Sequence, residues 1–278
     1  MILVTGATGH VGGEVLAHLL PAADTPPRAL VRDPAKADLP PTVEAVGGDL
    51  NRPDSLRPAL DGVDGVFLLP GYPDMPGLLA EMRQAGVGHV VLLSSIAAPD
   101  GDLDNAISAM MIGSEEAVRA SGIPWTILRP SGFMSNTFQW TEQLAAGDTV
   151  RAAFPDVAVA MIDPADIGAV AARVLLDDAH HGLAHALSGP EPLLPADRVR
   201  VLGEVLGRKL RFEGQSDEEA RSEMVGQGVP APYIEAFFRY YADGTLDDSR
   251  VRPTVRELLG REPRTFEQWA QQHASAFR

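Results

Sequence analysis

The 278-residue sequence contains no cysteine, which excludes disulfide bonds, thiolate-ligated zinc and a cysteine nucleophile. Lysine is scarce: of 23 basic residues only Lys36 and Lys209 are lysines. With 38 acidic residues the formal net charge is -15, and no basic stripe interrupts it. A phosphate backbone would be repelled, so nucleic acid is excluded as a partner. Long apolar runs are also missing. The longest, such as "HVVLLSSIAA", fall short of the roughly 20 residues that span a bilayer, so no membrane association is expected. Met1 leads straight into an apolar run instead of a charged leader, and a cytoplasmic location is expected.

What the chain does have is apolar residues throughout, 45% of the total, enough to bury a globular core. Short apolar runs alternate with amphipathic segments: "MILVT", "HVGGEVLAHLL", "RALVR", "TVEAV", "RPDSLRPAL", "DGVFLL", "PGLLAEMRQAG", "HVVLLSS", "SEEAVRASG" and "WTILRP". Strands that are apolar on both sides must be covered on both faces, which points to a parallel α/β sheet. Beyond Pro130 the alternation is irregular. A last α/β pair, "AVAMIDPADIGAVAARVLLDD", has Asp163 as an N-cap before Pro164, then come a strand at "HALSG" and a mostly helical end. The expected architecture is a doubly wound sheet over residues 1–150, with 157–188 returning to it, and a smaller interleaved lobe over 189–278.

Gly6, Gly9 and Gly12 fall where the first strand turns into the first helix, the setting in which such spacing marks a dinucleotide site. The first glycine allows a tight turn, the second lets backbone N–H groups approach a pyrophosphate, and the third lets helix and strand pack closely. His10, inside the loop, reads as a helix-start residue offering its backbone N–H. At the end of the second strand stands Arg32, where an NAD-selective site has an acid. A guanidinium there grips a 2'-phosphate with help from Lys36, so NADP(H) is favoured over NAD(H), although Asp33 follows directly. Asp49 and Leu50 end the third strand near an adenine, and Leu68, Leu69 and Pro70 end the fourth on the same edge.

Together "TGATGHVGG", "VRDP", "GDL", "VVLLSS", "SGIPWTILRP" and "MIDPADIGAVAARVLL" resemble the NmrA-like branch of the atypical short-chain dehydrogenase/reductases. The resemblance extends through "HALSGPEPLLPADRVRVLGEVLGRKLRF" and "ELLGREPRTFEQWAQQHASAF", over nearly the whole chain. It implies an extended Rossmann fold with a smaller C-terminal substrate lobe. It also implies a dinucleotide across Gly6, Thr8, Gly9, His10, Val11 and Gly12, then Arg32, Asp49 and Leu68–Pro70, its reactive end near Ser94, Ser95 and the loop after Pro130. Members reduce quinones or other conjugated acceptors, tailor aromatic polyketides and similar natural products, or sense dinucleotides without turnover.

One departure from the parent superfamily bears on chemistry. Catalytic members carry a Tyr and, four residues later, a Lys on the helix before "WTILRP", the Lys lowering the Tyr pKa. Here that region reads "DNAISAMMIGSEEAV", with neither residue. Two readings remain. In one, hydride passes to a quinone-like or aromatic acceptor, with Ser94 or Ser95 donating a hydrogen bond to the developing oxyanion. In the other, the protein senses NAD(P) and binds a protein partner.

Phe133, Met134, Asn136 and Phe138 are candidates for the substrate wall. Met110, Met111 and Ile112 line the site or pack a helix. Arg129 contacts ligand or pairs with a carboxylate. Tyr233, Phe237, Phe238, Tyr240 and Tyr241 cap the pocket or form a contact between copies of the chain. His180 and His181 have no third ligand near in sequence, so no metal is expected. Ser94 lies in no GxSxG elbow, which removes support for a hydrolase triad.

Overall fold

Strand residues from the first half alternate between two buried layers, as a sheet covered on both faces requires. A computed structural model describes residues 1–278, apart from the side chain of Asp100. In chain order the first elements are β1 (Ile2–Val4), α1 (His10–Leu19), β2 (Arg28–Val31), β3 (Glu44–Gly47), α2 (Arg57–Leu60) and β4 (Gly65–Leu68). They continue with α3 (Met75–Gln84), β5 (His89–Leu93), α4 (Ala106–Ala120), β6 (Trp125–Pro130), α5 (Thr141–Ala146) and β7 (Thr149–Ala152). Then come α6 (Pro164–Leu175), β8 (Leu183–Leu187), α7 (Pro195–Leu206), β9 (Arg211–Gly214), α8 (Asp217–Gly226), α9 (Ala231–Tyr241), α10 (Thr254–Leu259) and α11 (Phe266–His273).

Seven strands form one parallel sheet in the order β3-β2-β1-β4-β5-β6-β8. The order reverses between β1 and β4, and ligands of open α/β sheets sit at such a point, beyond the carboxyl ends of the strands. Ile2, Val4, Phe67, Val91 and Leu93 pack on one face with α1 and α6. Leu3, Val66, Leu68, Val90 and Leu92 pack on the other with α3. Burying each such side chain stabilises the fold by about 2 kcal/mol relative to exposure.

The fold is thus an extended Rossmann α/β fold with a second, smaller lobe. That lobe holds the two-stranded parallel sheet β7-β9. It has its own core of Trp140, Leu144, Val150, Val199, Leu202, Phe266 and Trp269. Residues 157–162 make only single bridges, Val159 to Leu193 and Ile162 to Phe133. The chain rejoins the main sheet through α6 and β8, with Asp163 capping α6 through the Ala165 N–H at 2.9 Å. Among the described residues no helix is long and apolar enough to cross a membrane.

Candidate active site

The turn between β1 and α1 has the shape of a phosphate cradle. Gly6 adopts φ +62°, a left-handed conformation that favours glycine. A Cβ on Gly12 would sit 2.2 Å from the Gly6 carbonyl oxygen and 3.0 Å from the Ala7 nitrogen, both backbone atoms that cannot swing aside. Helix α1 starts with no side-chain cap and no acid in its first turn. Its N–H groups and dipole are therefore left to an anion. These residues fit the pyrophosphate of a dinucleotide.

Arg32 follows β2 on the exposed rim, close enough to Asp49 and Tyr72 for its charge to act on both. Asp33, the acid that could have reversed the cofactor preference, is otherwise engaged. Its carboxylate accepts from the Ala35 N–H at 3.1 Å and pairs with Lys36 at 3.1 Å. Among the described residues Arg32 makes no ion pair. Asp49 accepts from the Asn51 backbone and side chain, which hold its carboxyl below the usual range. Leu50 and Leu68 are buried, while Leu69 and Pro70 are half-buried above the sheet.

A cavity of about 770 Å³ runs from Gly6, Gly9, His10, Val11, Gly12 and Leu69 to the second lobe. It passes Leu93, Phe133, Asn136 and Trp140, and it ends among Phe154, Arg198, Phe237 and Tyr241. The fold therefore brings the cofactor loop and two of the expected wall residues, Phe133 and Asn136, to one space. Thr8 lines a separate shallow recess with Leu39 and Pro40. Met134 is buried in the second core. Phe138 stacks on the His10 ring at 5.2 Å and on Phe277 at 5.5 Å, bracing the loop from behind. Met111 is half-buried on α4 away from the lining, and the Met110 sulfur accepts from the Tyr233 hydroxyl at 3.8 Å.

Ser94 and Ser95 stand just past the end of β5, and neither is part of the lining described above. The Ser94 hydroxyl is buried and donates to Glu115 Oε1 at 2.6 Å. Glu115 also receives two bonds from Arg129, at 2.8 and 2.6 Å, and one from Arg119 at 2.7 Å. Burial raises the Glu115 carboxyl, but the bonds from Arg129, Ser94 and Arg119 outweigh it and hold the group below the usual range. Arg129 is thus paired with a carboxylate, and Pro130 ends β6 beside it, buried. Ser95 Oγ accepts from the Ala97 N–H at 3.2 Å; its own proton has no acceptor among the described residues.

Three polar residues of the second lobe enter the site without having been singled out together in the sequence. Tyr241 lines the cavity and donates to Asp248 Oδ2 at 3.2 Å, which also accepts from the Gly132 N–H at 3.3 Å. Burial raises the Asp248 carboxyl to about 7, and burial with the Asp248 charge raises the Tyr241 phenol. Arg198 is 8% exposed and lies over Trp140, 4.8 Å from its ring centroid. The sequence held a signal for it: Arg198 falls on the same helical face as Pro195, Val199 and Leu202, all buried, where a charge has to have a reason.

Helix α4 is tied to α9 where the missing dyad would stand. Ser108 contacts the Tyr240 hydroxyl at 2.8 Å, and Asn105 Nδ2 donates to the Ala236 carbonyl at 3.2 Å. At the opposite end of the sheet the fold does what sequence proximity could not, and sets His89 beside His181, with His180 beside His185. Burial, then the His181 charge, pushes His89 down to about 4. Among the described residues no group of three or more ligands is arranged to hold a metal.

Residues 6–178 match the model of an NAD(P)H-binding family. The chain is 42% identical, over its whole length and 99% of the relative, to a (4-alkanoyl-5-oxo-2,5-dihydrofuran-3-yl)methyl phosphate reductase of Streptomyces griseus. It is 36% identical to an NAD(P)H azoreductase of Xenophilus azovorans, over all of this chain and 99% of that one. The solved Citrobacter sp. triphenylmethane reductase complexed with NADP(H) superposes with a TM-score of 0.79, at 27% identity over 98% of this chain and 99% of that one.

Proposed function

The chain belongs to the NAD(P)H-binding family, within the NmrA-like atypical short-chain dehydrogenase/reductases, as an NAD(P)H-dependent oxidoreductase; on that premise we propose that it reduces a conjugated small molecule with NADPH. The observation that carries this is the single cavity joining the glycine loop to apolar walls of Phe133, Trp140, Phe154 and Phe237. The names of the three relatives describe reduction of an unsaturated lactone, an azo compound and a triphenylmethane dye. Each is conjugated, so added electron density is spread over the acceptor. Quinones and aromatic polyketides share this property and belong to the same class.

When bound, the nicotinamide supplies a hydride. The chain's residues do the remainder. Gly6, Gly9 and Gly12 with the open end of α1 hold the pyrophosphate. Arg32, with Asp33 committed to its own turn and to Lys36, grips a 2'-phosphate and selects NADPH. The apolar walls exclude water and hold a planar acceptor over the donor. Because α4 has neither Tyr nor Lys, the developing negative charge on the acceptor must meet another donor. Tyr241, hydrogen-bonded to Asp248, holds an exchangeable proton at the cavity wall; Ser95, past the end of β5, lies outside that lining. Ser94, bonded to Glu115, fixes that strand end by positioning the Glu115–Arg129 pair.

The test is a mixture of purified protein, NADPH and a panel of quinones, azo dyes and acyl-butenolides, followed by the absorbance of the reduced nicotinamide. Turnover is expected with at least one conjugated acceptor and not with an isolated ketone. Tight NADPH binding with no turnover across the panel would instead make the protein a sensor.

A further inference from the structure

A buried arginine without a carboxylate partner is the feature that the reductase reading leaves unexplained. Arg198 is 8% exposed, and its Nε has no hydrogen-bond partner among the described residues. None of the ion pairs among those residues includes it. No nearby acid pairs with it: Asp197 Oδ2 accepts from the Leu194 N–H at 3.2 Å in the cap of α7, and Asp248 bonds Tyr241 and Gly132 through Oδ2 while its Oδ1 meets no donor among the described residues, Arg198 included. Glu223, also on the cavity wall, is bonded by Gln215 and Gln227. The face of Trp140, 4.8 Å away, offsets part of the cation's desolvation but supplies no counter-charge. Burial moves the guanidinium down to about 10, so it is still charged at neutral pH. An unpaired buried cation is costly, and this one faces the cavity that the substrate is to enter.

We propose that Arg198 is the anchor for an anionic group on the substrate, a phosphate monoester or comparable small dianion, held at the second-lobe end of the cavity while the conjugated part lies toward the glycine loop. This rests on the reductase reading for the identity of the cavity, but not on turnover. A guanidinium matches a phosphate with two parallel N–H donors. The anion would supply the counter-charge that the protein omits, and the chain's net charge of -15 would disfavour anions that find no such site.

The test is calorimetric binding of a matched pair, an acyl-butenolide methyl phosphate and its free alcohol, to the full chain saturated with NADP+. The phosphate form is expected to bind at least tenfold more tightly than the alcohol. Arg198→Met removes that advantage, leaving alcohol binding and NADPH affinity unchanged, and Arg198→Lys keeps part of it. Inorganic phosphate competes with the phosphorylated ligand in the wild type and not in Arg198→Met. Equal affinity of the wild type for the two ligands overturns the assignment, and that measurement needs no folded variant. Weakened NADPH binding in Arg198→Met also overturns it, by assigning the residue to the cofactor. Phosphate-selective binding that depends on Arg198, without turnover, would sink the reductase reading and leave the anion site standing.

Discussion

Gly12→Ala should abolish useful cofactor binding while Gly13→Ala, one residue on, should not. A Cβ at position 12 meets the Gly6 carbonyl oxygen at 2.2 Å and carbon at 2.6 Å, whereas one at position 13 finds its nearest neighbour, the Ala7 oxygen, at 3.6 Å. Relieving the first clash requires the Gly6–Ala7 backbone to move by roughly 1 Å, since ordinary carbon-to-oxygen contact lies near 3.3 Å or beyond. A shift of that size breaks one or two N–H bonds to the pyrophosphate. Each charge-assisted bond is worth about 1.5–3 kcal/mol, so NADPH affinity should fall by roughly tenfold to ten-thousandfold. Gly13→Ala sits within α1, where alanine is favoured over glycine by up to about 1 kcal/mol, so it should bind normally and melt slightly higher. The assay is a fluorescence titration with NADPH beside thermal melts of both variants. Equal affinities for the two variants would refute the cradle.

Arg32→Ala should weaken NADPH by roughly tenfold to a hundredfold and leave NADH alone, in parallel titrations; matched losses would remove the 2'-phosphate role. Asp248 has its carboxyl raised from 3.8 to about 7, so the folded state binds this proton more tightly than the unfolded chain. Its stabilisation is full below 3.8 and fades as pH rises through 7. The advantage of wild type over Asp248→Asn should therefore shrink by up to about 4 kcal/mol between pH 4 and 7 in urea melts, and a constant difference would contradict it. Glu115→Gln strands two arginines on a buried group and should cost about 3 kcal/mol; Glu81→Gln, at the exposed Arg57 pair, should barely move the melting temperature.

Most of the sheet was legible because its strands are apolar on both sides, as "HVVLL" and "GVFL" show. The glycine loop was legible from its place between strand and helix. Helix α4 starts at Ala106, well before the "SEEAV" stretch that announced it, because Asn105 caps it through the Ile107 N–H and ties it to α9. Residues 157–162 looked like a strand by composition but lie beside Leu193 and Phe133 in single bridges, since the sheet edge they would join is taken by β8. The far end of the site was harder to read. Arg198 and Trp140 are 58 positions apart in the chain, and the loop "TLDDSRV" gives no hint that Asp248 is buried under Tyr241. Which hydroxyl keeps a free proton, Ser94 or Ser95, was also undecidable before Glu115 was seen to take the first.

The most direct measurement of the central claim follows the hydride itself. With NADPH deuterated at the transferred position and a conjugated acceptor that is reduced at carbon, such as an acyl-butenolide, mass spectrometry of the product in ordinary water should find one deuterium bound to carbon of the acceptor, together with NADP+ in equal amount. An unlabelled product, or acceptor and labelled cofactor both returned unchanged, would contradict the account.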